Sequence, residues 1–426
     1  MILSRLFHRF SARSRFAPIF GTLGLALTLG LAAGTALAAD EPGVTATTLR
    51  VSAIMPLAGD NAVYGLNLKR GIEAALAGQQ VQGRTLELTV ANDFGEPITT
   101  LEVGNKLLEA GVFAMLGNVG ALTTLKWMPV LTANRIPAVG FYAAGEAGHA
   151  DEMLNFRPGH AQEVAELIAA AASAGVKPGR FCAFVQNDAY GLAGIEGLKT
   201  GLSRLPETQP IIARLDQIVD MTMGGINPAL NGMGPVGFYR RGASYLRDGY
   251  QSLKTWEQTS GATCQWVVLV AAPKVAADFI AYARYKNEPW VFAAISTTVA
   301  GDELARLLRE SGVKTPLIAT RVVPALNAPL PVLGDAQAAL GASLNALSLE
   351  GFIVGRMFLT ILRAMNGPLT RDNFLKTARR QPFEVGGVRI DFTAGNPGSR
   401  LLLLTVLNDG HVDVITASDL PALLKP

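Results

Sequence analysis

The sequence predicts an α/β protein of two doubly wound parallel-sheet lobes. Short apolar runs typical of buried strands alternate with amphipathic stretches of helical period. This alternation occurs in two successive sets, the first beginning at Leu49 and the second at Pro158. The chain has 426 residues, too many for one compact core, and two lobes of about 150–200 residues each have the usual size of domains.

An export signal precedes the first set. Four arginines without an acidic neighbour are followed by an apolar stretch over 19–33 and by small residues up to Ala38. This order predicts a signal peptide over 1–38 that is cleaved after Ala38, although an N-terminal membrane anchor has a similar pattern. The residue directly after the cleavage position is not a cysteine, so no lipid anchor is expected. We therefore expect a protein exported to the periplasm.

The charge of the exported chain argues against polyanionic partners. Four of the 37 basic residues belong to the signal, which leaves 33 basic against 34 acidic residues. A surface so close to neutral favours neither nucleic acid nor anionic membrane. After the signal, no stretch reaches the roughly 18 apolar residues of a membrane helix. We expect a soluble monomer that binds no nucleic acid.

The first set consists of strands separated by helices of ten to fifteen residues, a spacing that indicates a parallel sheet. Its first helix places Leu68, Ile72, Ala75 and Leu76 on one face. Loops at the carboxyl ends of such strands form the binding edge of a doubly wound sheet. The predicted strands are Leu49–Ile54, Leu86–Ala91, Val112–Leu116 and Ala138–Gly140.

The second set begins with a helix over 164–171 and continues with further strands. The predicted strands are Phe181–Val185, Ile211–Leu215, Trp266–Val270 and Val291–Ile295. Over 220–260, methionine and glycine residues interrupt the alternation of predicted strands and helices, and we interpret this segment as an insertion. It is either a surface excursion ending in a helix around Tyr245–Trp256 or a flexible apolar flap over a ligand.

The sequence contains few residues or motifs that are typical of enzymes. After export only His149, His160 and His411 remain among the histidines, too far apart in sequence for a local metal motif. The chain has no Gly-x-Ser-x-Gly elbow, no Walker loop and no Gly-x-Gly-x-x-Gly fingerprint after a strand. We expect a binding protein with no cofactor and no metal, and not an enzyme. A sensor that docks on a membrane signalling protein and a hydrolase with a dispersed active site are the alternatives.

A series of short motifs extends from about Leu49 to His411. They are Met55-Pro56-Leu57 through Tyr64-Gly65, Asn92-Asp93 with Pro97, Gly117 through Thr124, Phe156-Arg157, Asp188-Ala189-Tyr190-Gly191 and Leu349-Glu350-Gly351. In order and spacing they resemble the periplasmic solute-binding proteins of ABC importers with the type I fold, in the leucine/isoleucine/valine-binding family. The segment 220–260 is an exception to this series of motifs.

The resemblance implies an organisation and partners. Three crossovers near Pro158, Val323 and Gly398 would form a hinge. Lobe I would comprise 39–157 and 324–398, and lobe II 158–323 and 399–426. The partners would be a small-molecule ligand, captured in the cleft between the lobes, and an ABC permease of the inner membrane.

The resemblance also implies a carboxylate site on two loops of lobe I. The residues of these loops are Gly120, Ala121, Leu122, Thr123, Tyr142, Ala143 and Ala144. Their backbone amides and the following helix N-terminus suit an anion, but the hydroxyl side chains that the family has at Ala121 and Ala144 are missing. Thr123 or Thr124 is equally well explained as a helix N-cap.

This chain lacks the two acidic residues with which the family pairs the ammonium group of a ligand. His160 stands where the family has an aspartate, and Ser296 or Thr297 stands near its glutamate. An unpaired buried ammonium is costly, so the ligand is expected to be uncharged or largely apolar, such as an aromatic acid or a lipid-like molecule. His160 is alternatively an ordinary crossover residue.

Tyr64 and Tyr190 are the strongest candidates for ligand contacts. Each precedes a glycine and lies on a loop that leaves a strand, one in each lobe. A tyrosine offers a flat apolar face and a hydroxyl, so the two rings are expected to contact the ligand from opposite walls. The alternative is that both rings are half-buried residues that cap their helices. Tyr142 and Lys274 are weaker candidates.

The two cysteines lie near strands that the resemblance makes neighbours. Cys182 is at the start of Phe181–Val185, and Cys264 precedes Trp266–Val270. An oxidising compartment permits a disulfide between them. Two small buried thiols are the alternative.

Overall fold

A computed structural model describes residues 41–143, 150–227, 231–243, 245–408 and 410–424. The predicted signal peptide and Ala144 lie outside these residues. Within the described residues, no helix combines the length and the apolar character needed to span a membrane.

The chain first builds a parallel sheet flanked by helices. Its elements are β1 (Thr48–Met55), α1 (Ala62–Leu76), β2 (Gln80–Val81), β3 (Arg84–Asn92), α2 (Pro97–Glu109), β4 (Ala114–Leu116), α3 (Ala121–Ala133), β5 (Ala138–Val139) and β6 (Met153–Leu154). The strand order is β2-β3-β1-β4-β5-β6, and only β2 runs antiparallel to its neighbour. The four strands predicted for the first set are confirmed.

The chain then crosses to a second sheet. The elements are α4 (His160–Ser173), β7 (Phe181–Gln186), α5 (Ala189–Leu202), α6 (Gln209–Met223), β8 (Val236–Tyr239), α7 (Arg247–Ser260), β9 (Trp266–Val270), α8 (Pro273–Tyr285), β10 (Val291–Ala294), α9 (Glu303–Glu310) and β11 (Leu317–Arg321). All of these strands are parallel. Three of the four predicted strands are confirmed.

After β11 the chain returns to the first sheet and then crosses back. The elements are α10 (Pro331–Leu340), α11 (Ala346–Ala364), α12 (Arg371–Arg380), β12 (Phe383–Val385), β13 (Val388–Ile390), β14 (Leu403–Asn408), β15 (His411–Ile415) and α13 (Leu420–Leu423). Strands β14 and β15 complete a sheet of order β15-β14-β11-β10-β9-β7-β8. We call the first sheet with its packed helices lobe I and the second sheet with its helices lobe II. Three connections thus join two lobes, as the predicted fold class requires.

Helix α11 ties the returning segment into the core of lobe I. A Cβ at Gly71 on α1 would lie 2.0 Å from the carbonyl oxygen of Ser348, so only glycine permits this approach of the two helices. Apolar residues of α11, such as Phe352 and Phe358, are completely buried in the same core as β1. The core of lobe I therefore depends on two distant parts of the sequence.

The predicted strand Ile211–Leu215 is wrong. These residues lie in helix α6, whose buried residues Leu215 and Ile218 and half-buried Ile211 and Ile212 recur at helical spacing. The short apolar run at 211–212 looks like a strand only when the residues up to 218 are left out.

The segment 220–260 contains regular structure that the sequence did not predict. Strand β8 pairs in parallel with β7 at the edge of the sheet, and α7 packs behind it. The segment is therefore in part a βα unit of the lobe. The expected helix around Tyr245–Trp256 is present as α7, displaced towards the C-terminus.

Cys182 and Cys264 form a disulfide. Strands β7 and β9 are neighbours, and the two Cα atoms are 5.8 Å apart. Both residues are buried in an apolar cluster between the sheet and helices α7 and α8. Of the two alternatives that the sequence leaves open, the structure has the bridge.

Candidate functional site

A cavity of about 240 Å³ lies between the lobes, where strands from both sheets end. Tyrosines line it from both sides: Tyr64 and Tyr142 belong to lobe I, and Tyr190 and Tyr239 to lobe II. We call this space the tyrosine-lined cavity. The carboxyl ends of parallel strands are the usual binding edge of such sheets, which makes it the candidate ligand site.

Tyr64 and Tyr190 meet at one residue of lobe II. The hydroxyl of Tyr64 donates a hydrogen bond to the carbonyl oxygen of Thr297 at 3.1 Å. The hydroxyl of Tyr190 lies 2.8 Å from the hydroxyl oxygen of Thr297. Burial raises the pKa of both tyrosines, so both hydroxyls remain protonated. The Tyr64 bond joins the two lobes across the cleft.

Tyr142 and Tyr239 extend the aromatic wall. The rings of Tyr142 and Tyr64 have centroids 5.7 Å apart. Tyr239 donates to the side-chain oxygen of Gln186 at 2.8 Å and accepts from the backbone N–H of Ala272 at 2.9 Å. Sequence reasoning missed Tyr239 because the segment before it was not recognised as a strand; the apolar run Val236–Tyr239 was the available signal.

The N-terminus of α3 reaches the cavity. Gly120, Ala121, Leu122 and Thr123 line it, and within the described part of the chain no side chain caps the helix. The first N–H groups of a helix have no partner within it, and the helix dipole adds positive potential there. The hydroxyl of Thr123 donates back to the carbonyl oxygen of Val119 at 2.6 Å. Thr123 thus stabilises the loop that presents the amides.

Of the two residues expected in place of the family's acids, His160 lines the cavity and Ser296 does not. His160, the first residue of α4, lines the cavity, and its ring lies 5.0 Å from that of Tyr190. Ser296 does not line this cavity: its N–H and its hydroxyl both donate to the carboxylate of Glu163, at 2.8 and 3.0 Å. The chain turns after β10, so Thr297 occupies the wall instead.

Ala143 is buried and lies outside the lining of the cavity. Its carbonyl oxygen accepts a hydrogen bond from the side chain of Asn155 at 3.3 Å. Ala143 therefore contributes to the support of the loop. Lys274 does line the cavity, where it forms an exposed pair with Asp278 at 2.8 Å.

The charged groups of the cavity are largely engaged with the protein. Asp188 caps α5 by accepting from the N–H groups of Tyr190 and Gly191, and it accepts from Gln186 at 2.6 Å. Arg241, on the loop after β8, crosses the cleft to the carbonyl oxygen of Gly95 at 2.5 Å. Glu303 lies on the rim, where burial raises the pKa of its carboxyl group.

A buried ionic cluster lies behind the ring of Tyr142. Arg157 lies 4.3 Å above the ring of Tyr142 and is completely buried. Its guanidinium pairs with Glu163 at 3.3 Å and with Glu350 at 3.5 Å, and it also contacts Ser296. The cluster therefore connects the first crossover with α4 and α11.

A family model described as periplasmic binding protein matches residues 48–205. The fold and this match make the chain similar to the periplasmic binding proteins. Its fold is the type I fold, which the leucine/isoleucine/valine-binding proteins also have. The resemblance drawn from the sequence is confirmed.

Three relatives illustrate the similarity. A possible leucine/isoleucine/valine-binding protein from Rhodopirellula baltica SH 1 is 25% identical, with a TM-score of 0.75 over 88% of this chain and 98% of that one. A solute-binding protein from R. palustris, solved with 4-hydroxybenzoate, is 14% identical, with a TM-score of 0.64 over 87% and 96%. The Leu/Ile/Val-binding protein homolog 1 of Brucella abortus (strain 2308) is 31% identical over 87 residues, 19% of this chain. That match spans 23% of the curated relative.

Proposed function

We propose that this protein captures a small, largely apolar ligand without an ammonium group in the tyrosine-lined cavity and delivers it to an ABC permease of the inner membrane. An aromatic carboxylic acid is the class that the geometry fits best. The observation that carries the proposal is the tyrosine wall, contributed by both lobes, beside the uncapped N-terminus of α3. The protein acts in the periplasm, as a binding protein that leaves its ligand unchanged.

The shape and polarity of the walls support an aromatic body. Four tyrosine rings present flat apolar faces to a cavity of about 240 Å³, which is small enough to enclose a single ring system. The hydroxyls of Tyr64 and Tyr190 are bound to Thr297, so the faces of these rings rather than their hydroxyls are offered to the ligand.

The amides of α3 supply the partner for a carboxylate. Their N–H groups and the helix dipole favour an anion, and the glycine before the helix leaves them without a competing side-chain cap. No hydroxyl side chain is needed, which accounts for Ala121 at this position.

The surroundings of His160 and Asp188 argue against an amino-acid ligand. An ammonium group needs a carboxylate with free lone pairs. The carboxylate of Asp188 already accepts two backbone N–H groups and an amide, and His160 replaces the acid at the start of α4. The other acids that line the cavity are Asp60, which is exposed, and Glu303, which lies on the rim. The similar proteins named above include one that is named for binding leucine, isoleucine and valine and one that was solved with 4-hydroxybenzoate. The fold is therefore compatible with amino acids and with aromatic acids as ligands.

Calorimetry with four compounds tests this proposal. We expect benzoate and 4-hydroxybenzoate to bind, benzamide to bind at least tenfold more weakly because it lacks the charge, and leucine to bind poorly. Micromolar affinity for leucine together with none for benzoate would overturn the ligand class. Mass spectrometry of the mature protein from the periplasm tests cleavage after Ala38.

Transport is tested separately from binding. Uptake of labelled benzoate by cells lacking the gene should recover with the parent protein but not with Tyr190→Ala. A normal rate of uptake without the protein would exclude its role in import. Recovery of benzoate unchanged after long incubation, measured by NMR, is the result expected of a protein that is not an enzyme.

A further inference from the structure

A second cavity, of about 650 Å³, lies between the lobes beside the crossover that follows β11. Lobe II lines it with the end of β11 and with β14 and β15, and lobe I lines it with the start of α11. We call it the hinge-side cavity. Tyr142 lines both cavities, and the ionic cluster of Arg157 lies behind that ring. The ligand site proposed above makes no use of this second space.

Arg321, the last residue of β11, places a cation in the hinge-side cavity. Within the part of the chain that the structure describes, its guanidinium has no ion pair and no hydrogen bond. Burial lowers its pKa, with no acidic group to oppose the effect. Of the acids that line the cavity, Glu350 is paired with Arg157, and the exposed side chains of Asp302 and Asp413 form no ion pair with Arg321.

Two backbone donors adjoin this cation. Val322 and Val323 are 2% and 1% exposed and line the same cavity. Among the described residues, neither N–H donates a hydrogen bond. Buried N–H groups are paired in the great majority of cases, and consecutive backbone donors beside a cation have the chemistry of an anion site.

We propose that the hinge-side cavity binds a small carboxylate with an apolar body, through the guanidinium of Arg321 and the N–H groups that follow it. The cavity walls include Val299, Ala300 and Leu347, which suit an apolar body. A charged hydrogen bond from arginine to a carboxylate is among the stronger polar contacts in proteins. An anion beside Arg321 would also offset the cost of withdrawing this charge from water.

The proposed site would respond to the position of the lobes. Its walls come from both lobes, so a bound carboxylate would contact β11 on one side and α11 on the other. A ligand that binds the closed arrangement better favours that arrangement and thereby the first site. The carboxylate is either a second molecule of the ligand in the tyrosine-lined cavity or a different compound.

Calorimetry and native mass spectrometry with benzoate and with butyrate, at fixed ionic strength, test the site. We expect the parent protein to bind a carboxylate that Arg321→Gln binds more than tenfold more weakly, while the matched control Arg380→Gln, an exposed arginine, behaves as the parent. Two benzoate molecules per parent protein, one lost in Arg321→Gln and the other lost in Tyr190→Ala, would identify a second molecule of the same ligand. Butyrate binding that alone depends on Arg321 would identify a different one. Equal binding of both carboxylates by Arg321→Gln and the parent would overturn the proposal.

Thermal unfolding separates an anion site from a structural role of Arg321. In buffer free of carboxylates, Arg321→Gln should have a melting temperature equal to or above that of the parent, since an unpaired, partly desolvated charge is removed. Adding the carboxylate that binds should raise the melting temperature of a Tyr190→Ala protein but not that of the Tyr190→Ala, Arg321→Gln double variant. A lower melting temperature of Arg321→Gln without carboxylate would contradict the proposal. This readout does not depend on the tyrosine-lined cavity, so either site can fail alone.

Discussion

The hydrogen bond from Tyr64 to Thr297 provides a direct test of how the cleft closes. It joins the lobes at 3.1 Å, and the Tyr64 side chain that makes it is buried. Tyr64→Phe removes the hydroxyl and keeps the ring, so the apolar wall is preserved. In the closed arrangement the carbonyl oxygen of Thr297 then loses its partner, whereas an open cleft exposes that oxygen to water.

The expected cost follows from this difference. Leaving a buried acceptor without its donor costs about 1–2 kcal/mol, at the lower end of the usual range because the site borders a cavity. The closed arrangement is weakened by that amount relative to the open one. Since 1.4 kcal/mol corresponds to a factor of ten, the dissociation constant for benzoate should rise about 5- to 30-fold.

Calorimetry and small-angle scattering measure the two consequences. Tyr64→Phe should bind benzoate more weakly, and the radius of gyration should decrease only at higher ligand concentration than in the parent. The matched control is Tyr285→Phe, because Tyr285 is 77% exposed and lies outside the cavity. A Tyr64→Phe protein with the affinity and scattering of the parent would refute the view that this bond holds the lobes together.

Three further perturbations have defined expected results. The double variant Cys182→Ala, Cys264→Ala should lose about 2–4 kcal/mol of unfolding free energy in urea, because the bridge spans 82 residues; an unchanged midpoint would contradict this. Burial and nearby Glu163 raise the pKa of Glu350, so the parent should lose stability as the pH rises above about 4.5, whereas Glu350→Gln should lose less. Equal slopes of stability against pH in the two proteins would exclude Glu350 as the titrating group. Arg241→Gln should weaken benzoate binding less than about fivefold, since partly exposed ion pairs contribute little, and the difference should shrink at high salt.

The sequence predicts the sheets well where strands are buried on both faces. The strand Trp266–Val270 has the predicted limits because five apolar residues are followed by a loop and then by a helix that begins at a proline. Helix α6 was misread because its apolar residues begin with an adjacent pair, Ile211 and Ile212, and period alone does not distinguish a short apolar run in a helix from a strand. Strand β8 was not predicted because the methionine and glycine residues around it suggested an insertion.

The sequence predicts which residues line the candidate site where they closely follow a strand. It does not predict them where tertiary contacts determine which side chain faces the cavity. Tyr64 and Tyr190 both line the cavity, although they lie in the first turns of α1 and α5 and not, as predicted, on the preceding loops. Ser296 and Thr297 are neighbours, and only the hydrogen bonds of Ser296 to Glu163 show which of the two faces the ligand site. Such contacts join residues more than a hundred positions apart, and no local pattern encodes them.

The distribution of polar contacts between the lobes indicates where the molecule bends. At the hinge, Arg157 is completely buried between Glu163 and Glu350, and separating such a group from its partners costs about 3–5 kcal/mol. Across the cleft, the described residues hold the lobes together through the hydrogen bond of Tyr64 and the partly exposed contacts of Arg241, each of which contributes about 1 kcal/mol. We therefore expect opening to break the contacts of the cleft and to preserve the ionic cluster, so that the lobes rotate about that cluster.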